Sequence, residues 1–425
     1  MISLQRRRSF AGVIPPSKLL HPIIQIQNRN LVNVKLKWVK DSVLDSAVSA
    51  DIGLKATCTL VSLIGSRHDR ALPIHRLSKY RRQLGLPGDL KLTTFIRQYP
   101  SIFHEFYSPD SGGTPLPWYK LTLEASDLYR QETIAVYDDC YGDILRRLQK
   151  LLMLTKDRLL PLQTIDQLRW DLGLPYDYER KIVANHSDLF DFVDLPDGRR
   201  GVKLLAWDDS LAVSCLASRN SNLAQKDGAL EFPVGFPRGF GLKRKCVEWL
   251  NEWQKLPYTS PYVDASHLDR RTDVSEKRIV GVFHELLHLT ILRKMERKNV
   301  SNMRTPLSMP QKFTKLFERH PGIFYISKKG GVQTVVLREA YDHGKLVEKH
   351  PLIDVRAKYA IAMKEGYLDR SRGLYKKSRV AGEDSATNVA VATAAFDRGR
   401  RRRVCESETE SDCDLLEEYE SDEEC

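Results

Sequence analysis

One short phrase occurs three times in this chain, and a repeated phrase constrains the fold more tightly than any count of residue types. It reads Tyr99-Pro100-Ser101-Ile102-Phe103, His186-Ser187-Asp188-Leu189-Phe190 and His320-Pro321-Gly322-Ile323-Phe324. Each copy trails an apolar-x-apolar-Pro step: Leu84-Gly85-Leu86-Pro87, Leu172-Gly173-Leu174-Pro175 and Leu307-Ser308-Met309-Pro310, at offsets of 15, 14 and 13 residues. Each copy precedes a β-type run, at 118–123, 202–207 and 332–337. The unit therefore reads as helix, turn, helix and short hairpin, an order that resembles a helix-turn-helix with a wing. The expected fold is α+β and mainly helical, with three tandem winged-helix-like units at about 57–123, 155–207 and 274–337 joined by bridging helices. An array of this kind presents one extended surface, suited to a long partner.

Charge says what that partner is made of. The chain carries 67 Lys+Arg against 55 Asp+Glu, a formal +12. Residues 405–425 hold 11 acids and no Lys or Arg, and residues 1–40 hold 8 Lys+Arg and no acid. The remaining body, 41–404, keeps 59 bases against 44 acids, a net +15. A basic body favours a polyanion, because each neutralised phosphate releases a condensed counterion.

At 425 residues the chain has room for two or three core units plus tails, and 42% hydrophobic content suffices to fill them. No run approaches the roughly 18 uninterrupted apolar residues of a membrane span. Seven cysteines, none in a C-x-x-C pair, fit neither a disulfide framework nor a zinc ribbon and are read as reduced thiols. Residues 1–30, with Arg6, Arg7, Arg8, Lys18 and Arg29 and no carboxylate, have the composition of an organelle transit peptide. High arginine and modest hydroxyl content favour the mitochondrion over the chloroplast. Residues 379–425 form a basic and then acidic tail, disordered by its charge pattern.

Within the body, a helix from about Asp127 places Ile144, Leu148, Leu151 and Leu152 on one stripe, with Arg146, Arg147 and Lys150 on the other face. It is read as bridging the first two units. The segment 218–241 is rich in Gly, Pro, Ser and Asn and serves as a connector. Four aromatics and two prolines then fall within 249–262. Trp249 and Trp253 are either helix residues packed between units or a platform on which bases stack, at about 1–3 kcal/mol per base.

His284-Glu285-Leu286-Leu287-His288 is an H-E-x-x-H on an expected helix, the spacing that puts two imidazoles on one face with a glutamate placed to activate a metal-bound water. A zinc hydrolase needs a third ligand. Glu296 is expected on the same helix and Glu318 falls in the third repeat, so a metal at His284 and His288 is disfavoured and no cofactor is expected. No phosphate-binding Gly-rich loop and no Gly-x-Ser-x-Gly elbow is present.

Several long phrases match a known family. Leu31-Val32-Asn33-Val34-Lys35-Leu36-Lys37-Trp38-Val39-Lys40-Asp41, Leu256-Pro257-Tyr258-Thr259-Ser260-Pro261-Tyr262, the segment from Glu276-Lys277-Arg278 to His284-Glu285-Leu286-Leu287, Leu316-Phe317-Glu318-Arg319-His320-Pro321-Gly322-Ile323-Phe324-Tyr325-Ile326-Ser327 and Val347-Glu348-Lys349-His350-Pro351-Leu352 resemble the plant organelle RNA recognition (PORR) domain. The resemblance covers most of 31–378. It implies a plant organelle protein that binds intron-containing transcripts and promotes group II intron splicing, alone or with other splicing factors. The intron supplies the chemistry, so no catalytic residue is implied. His288 looks like a departure from a family position that usually holds a non-ligand such as Ser, which further weakens the protease reading.

The expected RNA surface recurs from unit to unit. It comprises Arg76, Lys79, Arg81 and Arg82 flanking Tyr80; Arg199, Arg200 and Lys203 at the second hairpin; Lys328 and Lys329 at the third; and Lys243, Arg244 and Lys245 leading into Trp249 and Trp253. A DNA-binding organelle factor is the principal alternative, since phosphate attraction does not separate the two polymers. A zinc metalloprotease is the more distant one.

Overall fold

A computed structural model describes residues 36–109, 112–220, 229–237 and 239–372. The expected transit peptide at 1–30 and tail at 379–425 lie outside the described residues, as do residues 221–228 and 238 of the connector. Helices and small antiparallel sheets alternate along the chain. The helices of eight or more residues among the described residues are α1 (Ser42–Ser49), α2 (Leu54–Gly65), α3 (Leu123–Ile134), α4 (Tyr141–Met153), α5 (Leu162–Leu172), α6 (Arg244–Gln254), α7 (Asp273–Leu289) and α8 (Pro351–Ser371).

Three sheets share one plan. The first holds β1 (Ala71–Pro73), β2 (Phe103–Pro109) and β3 (Pro115–Leu121) in the order β1-β3-β2. The second holds β4 (Leu159–Pro161), β5 (Phe190–Asp194) and β6 (Arg200–Leu204) in the order β4-β6-β5, and the third β7 (Lys294–Glu296), β8 (Phe324–Ser327) and β9 (Thr334–Leu337) in the order β7-β9-β8. Before the single strand of each sheet runs a helix: α2, α4 and α7 respectively. After it come helical turns and then the hairpin. A two-residue ladder between β10 (Tyr341–Asp342) and β11 (Lys345–Leu346) follows the third.

The repeated phrases now have a physical meaning. In each, the first residue's carbonyl accepts from the N–H groups three and four positions on: Tyr99 from Ile102 and Phe103 at 3.0 and 3.0 Å, His186 from Leu189 and Phe190 at 3.0 and 2.9 Å, His320 from Ile323 and Phe324 at 3.0 and 3.0 Å. The phenylalanine opens the hairpin's first strand and is buried every time. The leading side chain reaches back to the start of the unit's first helix. Tyr99 packs against Gly53 ahead of α2, His186 hydrogen-bonds the hydroxyl of Tyr141 at 2.9 Å, and His320 hydrogen-bonds Glu276 at 2.7 Å. The phrase is thus the staple between hairpin and first helix.

The apolar-x-apolar-Pro step is a second copied turn. Its x residue is left-handed in all three units, Gly85 at φ 63°, Gly173 at φ 78° and Ser308 at φ 55°. A third copy escaped the sequence reading: Arg70, Arg158 and Arg293, each just before the single strand, sit at φ 45°, 53° and 51°. Non-glycine residues with positive φ are uncommon, so their recurrence at one topological position marks the same turn built three times.

Two expectations are corrected. The helix expected from Asp127 is broken by a π turn, Ala135–Asp139, into α3 and α4. Nor is the basic face of α4 fully solvated. Arg147 is buried and donates to the Leu289 carbonyl at 2.6 Å, capping the negative end of α7, while Lys150 pairs with Glu285 at 2.8 Å. Residues 42–65 are long and apolar enough to cross a membrane by composition. They form two helices, α1 and α2, broken at the left-handed Gly53, and Leu60, Val61 and Ile64 are wholly buried in the protein core.

The third unit buries a lysine. Lys277, on α7, has no exposed surface and donates to the carbonyls of Gln254 and Leu256, both at 2.6 Å. Burial lowers its pKa from 10.5 to about 7. Between those values the unfolded chain binds the proton more than the folded one does, so this residue makes stability rise with pH across about 7 to 10.5. Lys277→Met removes that rise, a difference in slope approaching about 1.4 kcal/mol per pH unit. Chemical denaturation of both proteins at pH 7, 8 and 9 checks it. Parallel curves refute it.

Candidate nucleic-acid interface

The structure sorts the basic residues by what they already hold. Arg76 and Arg82 are exposed on the turns Ile74–Ser78 and Arg81–Leu84, and Lys79 is exposed at the end of the first. Arg81 is spent: its guanidinium donates to the carbonyls of Pro87, Gly88 and Leu90 at 2.8, 3.1 and 2.6 Å, closing its own loop. Tyr80 is half-buried, edge-on to Tyr176 at 6.4 Å. In the second unit Arg199, Arg200 and Lys203 are exposed, with Arg199 held by Asp197 at 2.5 Å. In the third, Lys328 is exposed and Lys329 half-buried beside the start of α1.

Lys243, Arg244 and Lys245 are exposed at the N-terminus of α6. Cations there oppose the helix dipole, at a cost of about 0.3–1 kcal/mol each. Glu248 relieves Arg244 at 2.8 Å. An anionic partner would relieve the three together.

Trp249 and Trp253 take no part in such a surface. They are 4% and 0% exposed, and their rings pack against His320 at 5.6 and 4.4 Å. They are core, shielding the staple of the third unit, and no base reaches them in this fold.

Sequence reasoning missed a pattern that depends on strand register. Each hairpin carries a cation over an aromatic ring. Lys120 lies over Phe106 at 5.8 Å, Arg200 over Phe192 at 4.9 Å, and Lys328 over Trp38 at 5.1 Å. In the first two units the pair is diagonal across the ladder, since Phe106 faces Trp118 and Phe192 faces Val202. In the third the ring comes from the chain ahead of α1, held by the Trp38 indole N–H donating to the Ile326 carbonyl at 3.2 Å. Phe106 and Phe192 are half-buried and Trp38 is 39% exposed. Such a pair offers a phosphate a charge and a base a π-face.

The H-E-x-x-H does lie on α7, and its third carboxylate exists after all. Glu339, in the turn Arg338–Ala340 after β9, places Oε1 2.9 Å from His284 Nε2 and 2.6 Å from His288 Nε2. Glu296, expected on the same helix, instead ends β7, because α7 stops at Leu289; neither it nor Glu318 is part of this cluster. Arg219 binds the same oxygen at 2.8 Å and Glu348 at 2.7 Å. Burial pushes the His288 pKa down to about 4. Burial also pushes Glu339 up, but the hydrogen bonds from both imidazoles outweigh it and hold the carboxylate well below its usual range. Glu285, the position of a hydrolytic base, points elsewhere. It accepts from the Cys215 N–H at 2.6 Å and the Tyr262 hydroxyl at 2.7 Å, and pairs with Lys150 at 2.8 Å. A carboxylate committed to these three donors is tied to them rather than to a metal-bound water.

A body of three like units with basic, aromatic hairpins fits a protein that holds a polyanion. Residues 39–368 match the plant organelle RNA recognition domain, and the chain belongs to that family. It is 39% identical to the protein WHAT'S THIS FACTOR 9, mitochondrial, of Arabidopsis thaliana over 80% of this chain and 88% of that one. It is 32% identical to the Arabidopsis WHAT'S THIS FACTOR 1 homolog, chloroplastic, over 77% of this chain and 63% of the relative. It is also 29% identical to ROOT PRIMORDIUM DEFECTIVE 1 of the same plant over 84% and 90%. No solved structure matches.

Proposed function

We propose that this chain binds organellar intron-containing RNA and promotes group II intron splicing, with no chemistry of its own. The carrying observation is the recurrence of a cation over an aromatic ring on all three hairpins. We read each unit as winged-helix-like, a reading supported by the shared sheet orders β1-β3-β2, β4-β6-β5 and β7-β9-β8, each with a hairpin. The RNA folds and cleaves itself; the protein supplies a charged, stacking surface that holds distant strands or sequesters misfolded ones. The exposed cations at Arg76, Lys79, Arg82, Arg199, Arg200, Lys203, Lys243, Arg244 and Lys245 extend that surface. Mitochondrial residence agrees with the basic composition of residues 1–30 and with the name of the 39% identical relative, while chloroplast residence agrees with the other named factor. Other splicing factors are the expected protein partners.

The test is a titration of residues 31–404 against group II intron RNA and duplex DNA of equal length at several salt concentrations. Salt-dependent binding with RNA preferred is the expected result. Equal or tighter DNA binding would replace this reading with a transcription factor, because the 2′-hydroxyl is what separates the polymers at a shared phosphate site.

A further inference from the structure

The cluster at the end of α7 is underused by an RNA-binding role. His284 and His288 stand one helical turn apart, and the tertiary fold delivers Glu339 to both Nε2 atoms from 51 residues beyond His288. The three donor atoms lie within 4.8 Å of one another. All three side chains are at least nine-tenths buried, at 1%, 5% and 8% exposure. Glu339 Oε2 is buried there without any hydrogen-bond partner, an uncommon state for a buried carboxylate oxygen.

We propose that His284 Nε2, His288 Nε2 and the Glu339 carboxylate form a zinc site. Two imidazoles and one carboxylate suit a borderline divalent cation. Zinc bonds of about 2.0–2.1 Å at tetrahedral angles separate ligand atoms by about 3.3 Å. The ion therefore replaces the protons now pointing at Oε1 and widens the two gaps by about half an ångström. It also gives Oε2 a neighbour of opposite charge. Arg219 already holds Glu348, so it can release Glu339 and keep a partner. A water fills the fourth tetrahedral position, and the ion's role is to clasp α7 to the turn after β9 inside the third unit. Hydrolysis is not expected of it, because Glu285 is committed to Lys150, Cys215 and Tyr262.

The test uses the full chain, stripped with a chelator, incubated with excess zinc or cobalt(II) and desalted, with no RNA present. The expected result is one equivalent of metal by elemental analysis, a tetrahedral cobalt spectrum without thiolate charge transfer, and a Tm raised by zinc. His288→Ser and Glu339→Gln are each expected to weaken retention at least tenfold. Less than a tenth of an equivalent on the wild type would overturn the site. So would variants that hold metal as the wild type does. If the variants fail to fold, the wild-type cobalt spectrum decides, since thiolate bands would place the ion on the cysteines instead. RNA affinity enters none of these readouts, so the RNA reading stands or falls separately.

Discussion

Reversing one cation on each hairpin, Lys120→Glu, Arg200→Glu and Lys328→Glu together, is expected to lower intron RNA affinity about 100-fold near physiological salt and to cut the slope of log K against log salt by about 2 to 3. All three are exposed and none is in an ion pair among the described residues, so the fold should survive. Each reversal removes a counterion-releasing contact and sets a carboxylate against the RNA backbone. Filter binding at three or more salt concentrations, with thermal unfolding as the control, reads both quantities. An unchanged slope in a folded triple variant would remove the hairpins from the interface.

The second large effect lies in the core. Trp253→Ala is expected to cost about 3–5 kcal/mol of stability, the usual range for deleting a buried tryptophan. The indole has no exposed surface, lies 4.4 Å from His320 and 5.8 Å from Phe232, and has Lys277 Nζ 5.7 Å from its ring. Its loss opens the wall around the His320–Glu276 staple and the buried ammonium together. RNA affinity of the folded fraction, measured well below Tm, should not change. A stacking platform predicts the reverse, a normal Tm with about 1–3 kcal/mol of RNA affinity gone per base.

What was legible in the sequence was whatever is copied locally. The Tyr99, His186 and His320 phrases and the Leu84, Leu172 and Leu307 steps are turns whose hydrogen bonds close within a few residues, so each leaves a fixed pattern at a fixed spacing. The unit starts were harder. α2, α4 and α7 meet the staples through a glycine, a tyrosine and a glutamate, three chemistries with no common letter. Arg70, Arg158 and Arg293 share a backbone shape that only the first two announce with a preceding Asp. The site was less legible still. Lys120–Phe106 and Arg200–Phe192 exist because of strand register, and Glu339 reaches His284 through the tertiary fold. Trp249 and Trp253 stayed open between core and platform because composition cannot tell an aromatic facing a staple from one facing solvent.

The two ends of the described body are tied to repeats far from them in sequence. Ahead of and within α1, Asp41 pairs with Arg338 at 2.7 Å, and Asp45 accepts from the Tyr325 hydroxyl at 2.9 Å and the Ser327 hydroxyl at 2.6 Å, on β8 nearly 300 residues downstream. From the other end, Ser101 in the first unit donates to the Ala362 carbonyl of α8 at 2.7 Å. An open solenoid can lengthen or shorten by whole modules, because each module answers to its neighbours alone. Here the first module waits for the last helix and the last module waits for the first. During synthesis α1 emerges early, and its Asp45 carboxylate must remain without the hydroxyl donors of β8 until that strand follows, which leaves a long interval for a chaperone to occupy.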